Sequence, residues 1–182
     1  MTQERTLHRV GTEEVRQWVI KETRGYESGL EFGCGYGAYT RHILCPVKAG
    51  IDAFEPYITE ARTMPENEGV EFICGDMRRF ERYATRDYAL ALFVDSLEHL
   101  TKTDAFDLID KCKQSFSKIA LFLPIGDFTQ DPCDGNEMQR HLSIWDENDL
   151  EAMQLSFWIK TDFHRDNPTD RQAAAFATWV SR

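Results

Sequence analysis

Much is missing from this 182-residue sequence, and each absence excludes a class of protein. No apolar run approaches the ~20 residues that cross a bilayer, and the polar N-terminus has no signal-peptide core. No CxxC pair occurs. The five cysteines, Cys34, Cys45, Cys74, Cys112 and Cys133, are odd in number and widely spaced. That pattern argues against a disulfide frame or zinc knuckle, and for reduced thiols in a cytoplasmic protein. Positive charge is in deficit: 21 Lys and Arg stand against 31 Asp and Glu, for a net charge of −10. A general nucleic-acid binder needs a basic footprint, so nucleic acid is not the expected partner. There is no internal repeat, low-complexity tract or evident linker. What remains is a chain of one-domain length, able to bury about two thirds of its unfolded surface.

The order of elements is informative. Thr12 to Arg24 reads as an amphipathic helix, with Thr12 at the N-cap, Glu13 and Glu14 in the first turn, and Val15, Trp18 and Val19 as the apolar stripe. Gly25 and Gly29 end it. A strand is expected at Leu30–Phe32, then a glycine-rich turn opening a helix through Thr40 and Ile43. A strand at Val47–Asp52, a helix at Pro56–Thr63 and a strand at Val70–Cys74 follow. Tyr88–Val94 and Ile119–Leu123 are continuous apolar runs, as in strands covered on both faces of a parallel sheet, and a helix at Thr103–Ser117 lies between them. Such alternation implies right-handed βαβ units and a doubly wound α/β fold. Near the end, Leu155–Thr161 and Ala174–Val180 read as two strands with no helical stretch between them, an antiparallel terminal hairpin.

The turn after the first strand carries the chemistry. In Leu30-Glu31-Phe32-Gly33-Cys34-Gly35-Tyr36-Gly37, glycines allow a tight turn and close approach of a ligand. Asp52 ends the next strand, where a carboxylate can accept both ribose hydroxyls of a nucleoside. Gly33-x-Gly35-x-x-Ala38 matches the dinucleotide fingerprint GxGxxA, so an NAD-dependent oxidoreductase is one alternative. A pyrophosphate, however, wants a bare helix N-terminus, and Glu31 suits a ligand bearing an ammonium better.

Glu31-x-Gly33-x-Gly35-x-Gly37 resembles the E/DxGxGxG turn of the class I, Rossmann-like S-adenosylmethionine (SAM) methyltransferases. Cys74-Gly75-Asp76-Met77 resembles the segment that meets the adenine in that family, and Val94-Asp95-Ser96-Leu97-Glu98-His99-Leu100 resembles its fourth motif. The resemblance covers residues 25 to 182. It implies a mostly parallel seven-stranded sheet ending in an antiparallel hairpin. It also implies a methyl donor, SAM, with S-adenosylhomocysteine (SAH) as product. Carried over residue by residue, the cofactor set is Glu31, Gly33, Cys34, Gly35, Gly37, Asp52, Ala53, Phe54, Asp76, Met77, Asp95 and Ser96. The match departs at Ala53, where the family has a larger apolar residue, and in a stretch one residue longer before Pro56. Phe54 is then a candidate to cover the adenine, and Glu55 to share the ribose role. Residues 1–28 form an N-terminal helical segment, read as a cap over the active site, and 29–182 the methyltransferase core.

Methyl transfer from a sulfonium needs a general base only when the acceptor must lose a proton. His141 and His99 are the candidates for that task. A second reading stays open: Asp95, Glu98, His99 and His141 resemble the metal-binding cluster of metal-dependent O-methyltransferases, and spacings of three and four would put the first three on one helix face. That set would suit a divalent cation, although the metal-free reading is preferred. Trp145 is placed near the acceptor pocket. The stretch Pro124–Glu151 carries eight carboxylates against Arg140 alone. An acidic rim repels phosphate-rich acceptors and tolerates neutral or cationic ones. The expected protein is thus a cytoplasmic methyltransferase, monomeric or homodimeric, acting on an O- or N-nucleophile of a small molecule. A module that binds nucleosides without turnover is the non-enzymatic alternative.

Overall fold

The computed structural model describes residues 12–163 and 172–181. Its strands, β1 (Ser28–Phe32), β2 (Val47–Asp52), β3 (Glu71–Cys74), β4 (Leu90–Val94), β5 (Lys118–Ile125), β6 (Ser156–Phe163) and β7 (Gln172–Val180), form one sheet in the order β3-β2-β1-β4-β5-β7-β6. Four α-helices are described: α1 (Glu13–Thr23), α2 (Glu55–Ala61), α3 (Lys102–Ser115) and α4 (Glu147–Ala152). The expected α/β class, the parallel pairing of the early strands and the reversed hairpin at the end are all present. No described helix is long and apolar enough to cross a membrane. The chain divides into two units, residues 1–92 and 93–182.

In the first unit, β1 pairs with β2 and β2 with β3, all parallel, with Glu31 opposite Gly50 and Asp52 opposite Cys74. Leu30, Phe32, Ala49 and Ile51 are buried on these strands. Helix α1 buries Val15, Trp18 and Val19 as its spacing predicts, but the Thr12 hydroxyl makes no capping bond. The helix is tied to the segment after the glycine turn: the Leu44 amide donates to Thr23 Oγ1 at 3.0 Å and the Thr12 amide to the Tyr39 hydroxyl at 3.1 Å. Residues 1–11 of the expected N-terminal cap lie outside the described residues.

One expected element is absent. In place of a helix through Thr40 and Ile43 the structure has irregular turns and a single 3-10 turn at Thr40–His42. Gly35 and Gly37 hold left-handed backbone, φ 52° and 79°, which cannot open a right-handed helix. The chain reaches right-handed backbone only after Gly37 and enters β2 at Val47, past Pro46, so too little remains for a stable helix.

In the second unit, β5 is buried over almost its whole length, which explains its unbroken apolar sequence. β7 runs antiparallel to both β5 and β6, and the connection at residues 164–171 lies outside the described residues. Helix α3 buries Ala105, Leu108, Ile109 and Cys112, and Thr101 caps it by accepting from the Asp104 amide at 3.2 Å. Asp146 and Asp149 form a reciprocal capping box at the start of α4.

Gly50 shows how tightly the first unit is built. A Cβ there would lie 2.6 Å from the Cβ and Sγ of buried Cys34. Gly50→Ala is expected to destabilise the protein by about 1–3 kcal/mol through this overlap, read as a lower urea midpoint. Gly69→Ala meets no atom within 4 Å but keeps a φ of +80°. Its cost is expected at about 1–2 kcal/mol, from backbone strain alone.

Candidate functional site

The glycine turn is held almost entirely by backbone and one carboxylate. The amides of Gly33 and Cys34 donate to the Ile51 carbonyl at 2.8 and 3.2 Å, and the Gly37 amide donates to the Cys34 carbonyl at 2.8 Å. Half-buried Asp52 accepts the Gly35 amide on one oxygen at 2.9 Å and the Phe54 amide on the other at 2.8 Å. Burial pushes its carboxyl above the ordinary value, and the two amide bonds pull it back. Each carboxylate oxygen keeps further lone-pair capacity for a hydroxyl donor. Gly35 has only the Tyr57 ring within 4.0 Å of where a Cβ would sit, so that face of the turn is open. Gly37 is closed instead, since a Cβ would lie 2.6 Å from the Phe72 ring.

Around the turn, Phe54 rests edge-on against Tyr57 (centroids 4.8 Å apart), and Tyr57 lies 4.3 Å from Tyr36. Ala53, between Asp52 and Phe54, is half-buried. Asn67 donates to the carbonyls of Tyr36 and Ala61 at 3.0 and 2.8 Å and so braces the far side. Nothing in the sequence marks Asn67 or Tyr57, because each acts through a packing partner remote in the chain. Cys34 is buried, and desolvation pushes its thiol well up, which makes it an inert filler beneath the turn.

Two of the expected ligands are engaged by the protein itself. The Asp76 carboxylate accepts the Arg78 amide at 2.9 Å and the Arg78 guanidinium at 2.7 to 3.1 Å, which holds its carboxyl below the ordinary range. Met77 beside it is half-buried. Glu31 is 1 % exposed and accepts a hydrogen bond from the Thr40 hydroxyl. Desolvation pushes the Glu31 carboxyl up to about 8, against which the Thr40 bond pulls down.

The second unit carries the histidines. Asp95 has left-handed backbone, φ 49°, and the chain continues as a 3-10 turn at Leu97–His99. Asp95, Glu98 and His99 therefore do not share one face of an α-helix. Glu98, His99 and His141 do converge, with one ligand atom of each within 4.8 Å of the others, and Asp95 is not in the group. Two segments make this meeting. The Glu98 carbonyl accepts the amides of Leu142 and Ser143 at 2.8 and 3.2 Å. The His141 amide donates to the Gln130 carbonyl at 3.1 Å. His141 Nδ1 lies 2.7 Å from the Phe128 carbonyl and His99 Nδ1 3.3 Å from that of Arg140. A carbonyl only accepts, so in each contact Nδ1 carries the hydrogen. The two rings stand 5.0 Å apart. Such an array can accept a proton or ligate a cation.

Ser96 is buried, and its hydroxyl has no hydrogen-bond partner among the described residues. Trp145 is 1 % exposed. It stacks on Phe106 and takes the Lys102 ammonium 5.7 Å from its ring centre, while its carbonyl accepts the Gly126 amide at 2.9 Å. It thus anchors the loop from inside, with almost none of its own surface exposed. Asp127, Asp131, Asp134 and Glu137 are exposed, and Arg140 pairs with Asp131 at 3.0 Å and Glu137 at 3.6 Å.

Residues 30–118 match the family described as a methyltransferase domain. No curated protein sequence matches the chain. Among solved structures, the PH0226 protein from Pyrococcus horikoshii OT3 aligns over 100 % of both chains with a TM-score of 0.66 and 14 % identity. Magnesium protoporphyrin IX methyltransferase from Synechocystis PCC 6803, with SAH bound, aligns over 91 % of this chain and 80 % of its own, with a TM-score of 0.60 and 16 % identity. The small RNA methyltransferase HEN1 aligns over 92 % of this chain with a TM-score of 0.69 and 15 % identity, and this chain spans only 25 % of its length. At such identities these likenesses establish the fold, which is the Rossmann-like one of the class I methyltransferases. The likeness to the methyltransferase domain family spans residues 30–118, just under half of the chain.

The raised Glu31 carboxyl makes stability depend on pH. Below 4.5 the group is protonated folded and unfolded, above about 8 in neither state, and between these values the folded state alone keeps the proton. Stability is therefore expected to fall as pH rises from 4.5 towards 8, by up to about 1.4 kcal/mol per pH unit. In Glu31→Gln the proton exchange is gone, and the urea midpoint should lose this part of its pH dependence.

Proposed function

We propose that the chain methylates an oxygen or nitrogen of a small-molecule acceptor that is neutral or cationic. The observation that carries this reading is the charge around the histidines. Asp127, Asp131, Asp134 and Glu137 are exposed there, and the single cation of the stretch, Arg140, is already paired to two of them. Phosphate-rich acceptors meet repulsion at such a surface.

SAM supplies a methyl group on a sulfonium, a good leaving group, so the chain's task is to hold donor and acceptor in near-attack geometry. Gly33, Gly35 and Gly37 shape the turn for close approach, Asp52 takes the ribose hydroxyls, and Ala53, Phe54, Asp76 and Met77 take the adenine. His141, its Nδ1–H held by the Phe128 carbonyl, takes the acceptor proton on Nε2, and His99 is the alternate base.

A second reading is favoured by one observation, the convergence of Glu98, His99 and His141. A carboxylate and two imidazoles fit a divalent cation, which would supply Lewis-acid activation of an acceptor hydroxyl. Those three residues would hold it, without Asp95.

Isothermal titration with SAM and SAH tests the donor site, and transfer from labelled SAM to a panel of amines, phenols, carboxylates and RNA tests the acceptor. Turnover confined to RNA or to phosphorylated acceptors sinks the first reading. Asp52→Ala is expected to weaken SAH binding at least about tenfold, since it removes charge-assisted bonds to both turn and ribose. His141→Ala should lower kcat by about 10²- to 10⁴-fold with little change in SAH affinity. A chelator that abolishes turnover, restored by Mg²⁺ or Mn²⁺, would select the metal reading over the metal-free one.

A further inference from the structure

The pair Glu31 and Thr40 is used by no step above. Both side chains are buried, and the Thr40 hydroxyl donates to the Glu31 carboxyl. Glu31 lies on β1 just before the glycine turn, and Thr40 opens the 3-10 turn just after it. Their bond closes a loop whose interior holds all three glycines. Gly50, opposite Glu31 on β2, makes room for this closure, since a Cβ there would lie 3.1 Å from Thr40 Oγ1 and 2.6 Å from Cys34.

Where a glycine turn runs into an α-helix, the helix's own hydrogen bonds hold the exit of the turn in place. This chain has only a 3-10 turn there. Entry and middle are tied by the Ile51 carbonyl and the Asp52 carboxylate, the far side by Asn67, and the exit by Thr40.

We propose that Thr40 is a positioning residue for the cofactor, and that Glu31 acts on the cofactor through Thr40, as the clasp of the glycine turn, and not as a ligand of the methionine ammonium. The inference rests on the SAM reading of the turn. A carboxyl buried in this way keeps its proton at neutral pH and carries no charge to offer an ammonium. It remains an acceptor for the Thr40 hydroxyl.

The test is SAH binding by isothermal titration on Thr40→Ala, Thr40→Ser, Glu31→Leu and the double variant Thr40→Ala with Glu31→Leu. Loss of one neutral hydrogen bond predicts that Thr40→Ala weakens SAH about fivefold to tenfold, and that Thr40→Ser, which keeps the hydroxyl, restores wild-type affinity within about twofold. Glu31→Leu should lose about as much as Thr40→Ala, and the double variant no more than either, because both remove the same bond. Thr40→Ala binding like the wild type overturns the proposal. So does a double variant whose loss is the product of the single losses. Circular dichroism melts check folding, and should Thr40→Ala fail to fold, Thr40→Val against Thr40→Ser poses the same question. Wild-type protein that binds no SAH would instead refute the cofactor reading itself, a result distinct from either.

Discussion

The carboxylate of Asp52 is the constraint on which the glycine turn depends. Three glycines in left-handed backbone give a turn that can approach a ligand closely, but glycine loses more conformational freedom on folding than any other residue. Something must select one shape. Asp52 does so from the end of β2 by accepting amides on both of its oxygens, Gly35 on the neighbouring turn and Phe54 two residues onward. The parallel register that sets Phe32 beside Ile51 brings the carboxylate to the right height. Desolvating it is unfavourable, and the two charge-assisted bonds offset that cost. One group thereby shapes the turn and keeps lone-pair capacity for a further donor.

The same economy of ties appears in the second unit, in a different chemistry. There the backbone does the orienting. Carbonyls of Phe128 and Arg140 face the Nδ1 atoms of His141 and His99, and the Glu98 carbonyl takes two amides of the returning segment. Both imidazoles thus point an Nδ1–H at a backbone carbonyl. Trp145, buried beneath, keeps the loop at that distance through its bridge to Gly126.

Most of the architecture was legible in the residues. The unbroken apolar runs of β4 and β5, the stripe of α1 and the reversed final hairpin follow from period and composition, because burial on two faces or one leaves a mark on every residue of an element. The helix after the glycine turn was not legible. Helical-looking residues from Ala38 to Ile43 are overruled by left-handed glycines before them and by the early start of β2. The face expected to join Asp95 to Glu98 and His99 failed for a related reason, since a left-handed Asp95 and a 3-10 turn do not have α-helical spacing.

By itself the sequence determined the fold class, the place of the glycine turn and the carboxylate at the end of β2. These are local facts of glycine backbone freedom, strand period and nineteen residues of spacing between Gly33 and Asp52. Only the tertiary structure decided which polar groups find one another. Glu31 meets Thr40, Asp76 meets Arg78, and His141 comes to Glu98 and His99 from about forty residues away. Such pairings depend on how buried groups replace the water they lose, and that choice is made by every neighbouring strand and loop at once.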